Sequence, residues 1–125
     1  MLFSAAVPGQ GGEFHVNEQP LDYWREFFLE HGYRCFDALR PHLLKAAEVQ
    51  PWYRYNTLLY VKNEACSTLP DVVLQSELAA GERIPELAPP LWRARNAILG
   101  ATPQPALDLL VKLKHSWVRS RSKRA

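Results

Sequence analysis

Cysteine is scarce in this sequence: Cys35 sits in a strand-like run and Cys66 in a polar loop, with no paired spacing. That excludes a disulfide framework and a zinc site built on paired cysteines, and leaves reduced thiols in a cytoplasm as the expectation. Long apolar runs are also missing. None reaches the roughly 18 residues that a membrane span requires, and the start of the chain lacks the basic region of a secretory leader. A soluble, cytoplasmic protein with no membrane contact is expected. A charge excess of one sign is nearly absent, because 15 Lys and Arg face 13 Asp and Glu, a formal net charge of +2. Such a small excess does not imply nucleic acid. The exception is the stretch 112–124, which holds six basic residues and no acid. No Ser-His-Asp, Cys-His or paired-carboxylate arrangement stands out, which leaves hydrolysis without support.

What remains is a chain of 125 residues, 47% hydrophobic and 22% charged, which fits one modest core. Residues 2–7 form an uninterrupted apolar run ended by Pro8-Gly9, the pattern of a strand buried on both faces of a parallel sheet. Such a strand needs neighbours, and the run starts at Met1. The expectation is therefore that its covering strands and helices belong to a segment this sequence does not contain. Pro20 suits a first helical position, Trp24, Phe27, Phe28 and His31 recur at helical spacing, and Gly32 follows, which predicts a helix over 20–31. Residues 33–39 read as a strand with Tyr33, Cys35 and Leu39 on one face, broken by Arg40-Pro41. Residues 55–61 read as another. Beyond Asn63, Pro70, Pro85, Pro89, Pro90, Pro103 and Pro105 divide the chain, and only 91–99 and 106–118 have helical periodicity. Leu109, Leu110, Leu113 and Trp117 give the last helix an apolar stripe, and the Arg-Ser-Arg-Ser-Lys-Arg end is expected to be disordered.

The densest polar group runs from Pro8 to Glu18, a glycine-rich loop followed by His15, Asn17 and Glu18. Its glycines at 9, 11 and 12 do not fit a phosphate-binding fingerprint. His15 could serve as a general base near neutral pH, or His15 and Asn17 could only hydrogen-bond the loop and cap the helix. His15 and Glu18 offer at most two metal ligands, so no metal site is expected. Trp52-Tyr53-Arg54-Tyr55-Asn56 could wall a ligand site, with Arg54 holding an anion, or pack the core as aromatics entering a strand. Asp37 and Arg40 suit an ion pair that ties strands together better than a catalytic role.

Several of these segments, taken in order, resemble a known family. Leu2-Phe3-Ser4-Ala5-Ala6-Val7-Pro8-Gly9-Gln10-Gly11-Gly12, His15-Val16-Asn17-Glu18-Gln19-Pro20, Tyr23-Trp24, Gly32-Tyr33, Asp37, Arg40-Pro41 and the run from Trp52 to Leu59 resemble the C-terminal portion of a bacterial group of class I S-adenosylmethionine-dependent methyltransferases. The resemblance covers about half the chain, up to Val61. It implies a Rossmann-like sheet in which residues 2–7 are the fifth strand, 20–31 the helix after it, and the last two segments the antiparallel sixth and seventh strands.

On that basis residues 1–63 are expected to be the C-terminal part of a methyltransferase catalytic domain, 64–118 a helical, proline-punctuated extension and 119–125 a disordered basic tail. In the family, the residues that hold S-adenosylmethionine lie on the first four strands, and no match to them exists here. No cofactor-binding residue is therefore assigned, and the chain alone is not expected to bind S-adenosylmethionine. What the resemblance implies instead is the acceptor side. His15 would be the base, Asn17 and Glu18 its orienting partners, and Gln10, Tyr53 and Arg54 contacts to a small-molecule or glycan acceptor. A missing N-terminal methyltransferase part, or a second copy of the chain, is the expected partner. The competing reading is a non-enzymatic binding module that uses the half-fold and the basic C-terminal helix.

Overall fold

The computed structural model describes residues 1–11 and 17–103. The predicted helix 106–118, the basic tail 119–125 and His15 lie outside these residues. Within them the chain runs β1 (Leu2–Phe3), α1 (Leu21–Glu30), β2 (Tyr33–Phe36), α2 (Arg40–Leu43), α3 (Pro51–Asn56) and β3 (Leu58–Lys62). A 3₁₀ turn (Asn63–Thr68), α4 (Asp71–Leu74) and α5 (Pro90–Ala101) follow. The α/β class, the antiparallel strand pair, the helix after Pro20 and the helix over 91–99 are all present. No helix among the described residues is long and apolar enough to cross a membrane.

The sheet has the order β1-β3-β2. Both β1 and β2 pair antiparallel with β3, Phe3 opposite Leu58 and Cys35 opposite Tyr60, so β1 and β2 are parallel to each other with β3 between them. Side chains alternate across a sheet, which puts Leu58 and Tyr60 of β3 on the face that carries Phe3 and Cys35. Cys35, Leu58, Tyr60 and Ile84 form the buried cluster, and Phe3, Leu21, Phe28, Tyr33 and Leu78 pack against it. The Phe3 ring lies 5.0 Å from Phe28 and 5.1 Å from Trp24, edge-on or tilted, the arrangements aromatic quadrupoles favour. Full burial of a side chain such as Leu58 is worth roughly 2 kcal/mol. Burial also pushes the Cys35 thiol up to about 11, with the Tyr60 hydroxyl beside it, so Cys35 stays an unreactive core side chain at neutral pH.

Four expectations need correction. Residues 2–7 are not a strand buried on both faces of a parallel sheet: only Leu2–Phe3 pairs, it does so antiparallel, and Leu2 is 61% exposed. The partner strand begins at Leu58, opposite Phe3, so the following carbonyls find other donors. Asn56 Nδ2 reaches the Ala5 oxygen at 3.0 Å and the Gln19 amide reaches that of Ala6 at 3.3 Å. The strand predicted over 33–39 stops at Phe36, because the Asp37 amide turns to the Ser76 carbonyl at 2.8 Å. The strand predicted over 55–61 begins at Leu58, since Pro51 opens a helical turn that holds the aromatics as far as Asn56. On α1 the buried face is Leu21, Arg25 and Phe28, while Phe27 and His31 are exposed and stack on each other at 4.5 Å.

Residues on both sides of position 63 share this core. The segment 82–85 has no regular structure, so its backbone groups must be met by side chains. Arg25, 4% exposed, donates to the Glu82 carbonyl, and Asp22 Oδ1 accepts the Ile84 amide at 3.2 Å. Arg40, 0% exposed, donates to the Pro85 carbonyl at 3.1 Å and the Tyr55 carbonyl at 3.3 Å. Its other edge grips Asp37 through two bonds of 2.8 and 2.7 Å. Arg34 of β2 pairs with Glu77, which also bridges Phe36 and so covers the outer side of β2.

Two outcomes follow. Arg40→Met leaves Asp37 largely enclosed without its cation, and we expect a loss of about 3–5 kcal/mol in urea unfolding, the usual effect of removing one partner of a buried pair. Glu77 is held below the usual carboxylate range by its hydrogen bonds from Arg34. A depressed carboxylate stabilises above its unfolded value and loses that contribution as pH falls through its folded value. Glu77→Gln is therefore expected to be less stable than the parent at pH 7 and equal to it in strong acid, as read from thermal melts across that range.

Candidate ligand cleft

The Pro8-Gly9 dipeptide makes a tight turn in which the Gln10 amide returns to the Val7 carbonyl at 3.0 Å and Gly9 adopts φ +75°. This is the residue order of a type II turn, Pro then Gly at the centre. A Cβ on Gly9 would stand 2.2 Å from the Asn96 carbonyl oxygen and 3.1 Å from the Gly100 Cα, so the glycine is also what lets α5 seat on the loop. The loop amides are occupied as well. Glu18 Oε2 accepts the Gly9 amide at 2.9 Å and Oε1 the Gly11 amide at 3.2 Å. Covered by α5 and closed by a carboxylate, the described part of this loop does not fit a cradle for S-adenosylmethionine.

Under the turn lies a buried polar layer. Gln10, 6% exposed, accepts from Asn56 Nδ2 at 2.7 Å through its side chain and from Arg95 Nη1 at 2.9 Å through its backbone carbonyl. Arg95 also reaches Asn96 Oδ1 at 3.0 Å and lies 5.1 Å above the Trp92 ring. These bonds join the end of the β1 segment, the entry to β3 and one face of α5.

Beside this layer opens a cleft of about 370 Å³. Val7 and Pro8, Leu21 and Asp22 at the start of α1, and Asn56 form its sheet side, and Arg83 to Glu86 and Ala88 together with Trp92, Arg93, Asn96 and Ala97 form the opposite wall. It therefore lies beyond the carboxyl end of β1, the side on which open α/β sheets bind ligands. Its mixed polar and apolar lining carries two amides, Asn56 and Asn96, that are 5% and 8% exposed.

The residues that the sequence singled out are dispersed around this cleft. Gln10 supports its floor through Asn56, and Glu18 fixes the loop above it. Asn17 is exposed and accepts from Gln19 Nε2 at 3.1 Å. Tyr53 and Arg54 stand on α3 and are not among the described residues that line the cleft. Tyr53 is 51% exposed, while the Arg54 guanidinium lies 5.5 Å over the Tyr55 ring. Asp37 and Arg40 form the ion pair expected of them. The residues the sequence reading missed, Arg83, Trp92, Arg93, Arg95 and Asn96, come from the proline-rich part of the chain. A Trp followed by two arginines, Arg93 and Arg95, within one helical turn was the available signal. Among the described residues no group of three His, Cys, Asp or Glu side chains is placed to hold a metal ion.

No family model, curated protein or solved structure matches the chain.

Gly9 offers a direct check on the seating of α5. Gly9→Ala adds the left-handed backbone penalty to a 2.2 Å overlap, and we expect about 2–4 kcal/mol of destabilisation. Gly81 has a similar φ of +75° with nothing within 4 Å of an added Cβ, so Gly81→Ala should cost only about 1 kcal/mol. Equal losses in denaturant titrations of the two variants would show that α5 does not rest on the loop.

Proposed function

We propose that this chain supplies the acceptor side of a class I S-adenosylmethionine-dependent methyltransferase, with the cofactor held by residues outside it. The observation that carries this reading is the path β1–α1–β2–β3, with the last strand antiparallel to two parallel neighbours and a cleft beyond the carboxyl end of the first. In chain order these elements correspond to the fifth strand, its helix and the antiparallel sixth and seventh strands that the sequence resemblance implies. A Rossmann-like sheet is the architecture proposed to contain them.

Methyl transfer depends on alignment of an acceptor with the reacting methyl group, and on a base where the acceptor must lose a proton. His15, four residues beyond the turn that Glu18 ties down, is the proposed base. Glu18 and Asn17 orient its loop, Gln10 holds the floor through Asn56, and Tyr53 and Arg54 are assigned to the outer approach of a larger acceptor. A segment or chain that carries the first four strands is the proposed partner. Among the described residues the outer edge of β1 has no partner strand, and its backbone groups are those this segment, or a second copy of this chain, would use. A cytoplasmic location accords with Cys35 and Cys66, both free thiols.

The test joins the first four strands of a class I methyltransferase to Met1 and follows label from S-adenosylmethionine into a panel of small phenols, amines and acids. Transfer to one class of acceptor is expected, and a folded, cofactor-binding chimera that labels nothing would count against the reading. In an active chimera, His15→Ala should lower turnover by on the order of 100-fold, as general-base catalysis commonly requires. Unchanged turnover would leave His15 a loop residue.

A further inference from the structure

We propose that the cleft between the β1 turn and α5 binds a small molecule with an apolar body and one oxyanion group, a carboxylate or a phosphate ester. It rests on the methyltransferase reading that this molecule is the acceptor.

Four observations lead there. First, the cleft carries two cations and two acids, and only the acids are already engaged. Asp22 accepts the Ile84 amide and pairs with Arg25 at 3.4 Å, and Glu86 Oε1 accepts the Ala88 amide at 2.8 Å. Neither the Arg83 nor the Arg93 guanidinium has a hydrogen-bond or ion-pair partner among the described residues, and both line the cleft. With Asp22 offset by Arg25, the two free arginines outweigh Glu86. Guanidinium groups grip carboxylates and phosphates through paired N–H donors, which suits an oxyanion at the cleft mouth.

Second, apolar side chains stand among the charged ones of the lining. Val7, Leu21, Ile84 and Trp92 can cover a hydrocarbon body, and the amides of Asn56 and Asn96 set its orientation. Third, about 370 Å³ is near the lower end of the range for small-molecule sites. That volume matches a single ring with a short substituent. Fourth, the wall that bears Arg83 is fixed on both sides of Ile84, by Arg25 at Glu82 and by Arg40 at Pro85. The cleft is thus partly formed before any ligand arrives.

The experiment uses the chain as it stands. Phenyl phosphate, phenylacetate and benzyl alcohol are titrated separately and followed by NMR at the side-chain amides of Asn56 and Asn96. Saturable binding of at least one anion is expected, at least tenfold tighter than benzyl alcohol, and the two anions distinguish a phosphate ester from a carboxylate. The double variant Arg83→Gln, Arg93→Gln should weaken that binding at least tenfold with an unchanged melting temperature, since both side chains are exposed and have no partners among the described residues. Ala97→Trp, which fills the cleft from the exposed side of α5, should block it as well. The proposal is overturned if neither anion saturates, if benzyl alcohol binds as tightly, or if both variants bind like the parent. Anion binding without methyl transfer by the chimera would retain the cleft and remove the acceptor role. Methyl transfer to an uncharged acceptor without anion binding would do the opposite.

Discussion

The Arg40 guanidinium is the group on which most of the structure depends. It is completely enclosed, and its donors reach Asp37 beyond β2, the Tyr55 carbonyl at the end of α3 and the Pro85 carbonyl on the far side of the core. A buried cation is stable only when its donors are met, so each of these three segments is held where it satisfies the others. Arg25 repeats the device from α1, and together the two arginines pin a stretch of chain that has no ladder or helix of its own. Ile84 enters the core between them. The hydrophobic cluster and the charged network are thus two descriptions of one closure.

This closure is built from distant parts of the chain. The Arg25 bond to Glu82 spans 57 residues, the Arg34 pair with Glu77 spans 43, and the Arg95 bond to Gln10 spans 85. Contacts of that separation carry a loop-closure cost before they repay it. The pairing of β2 with β3, whose strands are separated by α2 and α3, and the packing of α1 close shorter loops and are the cheaper events. The segment after position 63 and the sheet support each other: Ile84 covers the core and the arginines of the sheet region hold its backbone.

The parts that were legible in the sequence are those whose signals are local. Pro20 and Gly32 bracket α1, Pro90 opens α5, and the β-branched and aromatic run ending at Val61 marks β3. Pro8-Gly9 announces a turn. Asp37 and Arg40, three residues apart, could be read as a pair. The errors arise where a distant partner decides. The apolar run at 2–7 looks like a long buried strand, but β3 begins only at Leu58, opposite Phe3, and offers the later residues no partner. The run from Trp52 to Asn56 has strand composition, yet Pro51 winds it into helix. Nothing near Arg25 and Arg40 in sequence reveals the distant carbonyls to which they donate. The cleft was hidden for the same reason: its two free arginines stand among prolines, and their role depends on a turn more than 70 residues earlier.

The two walls of that cleft are not equally stiff. One is riveted to the sheet by two enclosed guanidinium groups. The other, α5, rests on a glycine-to-glycine contact, the Tyr55–Trp92 ring contact and the bonds of a single exposed arginine, Arg95. Thermal opening is therefore expected on the α5 side, and for the proposed ligand the binding-competent population would be set by how often the helix is seated. Apparent affinity scales with that fraction, so a substitution under α5, remote from any ligand atom, would act as a dimmer on binding without altering a single contact to the ligand.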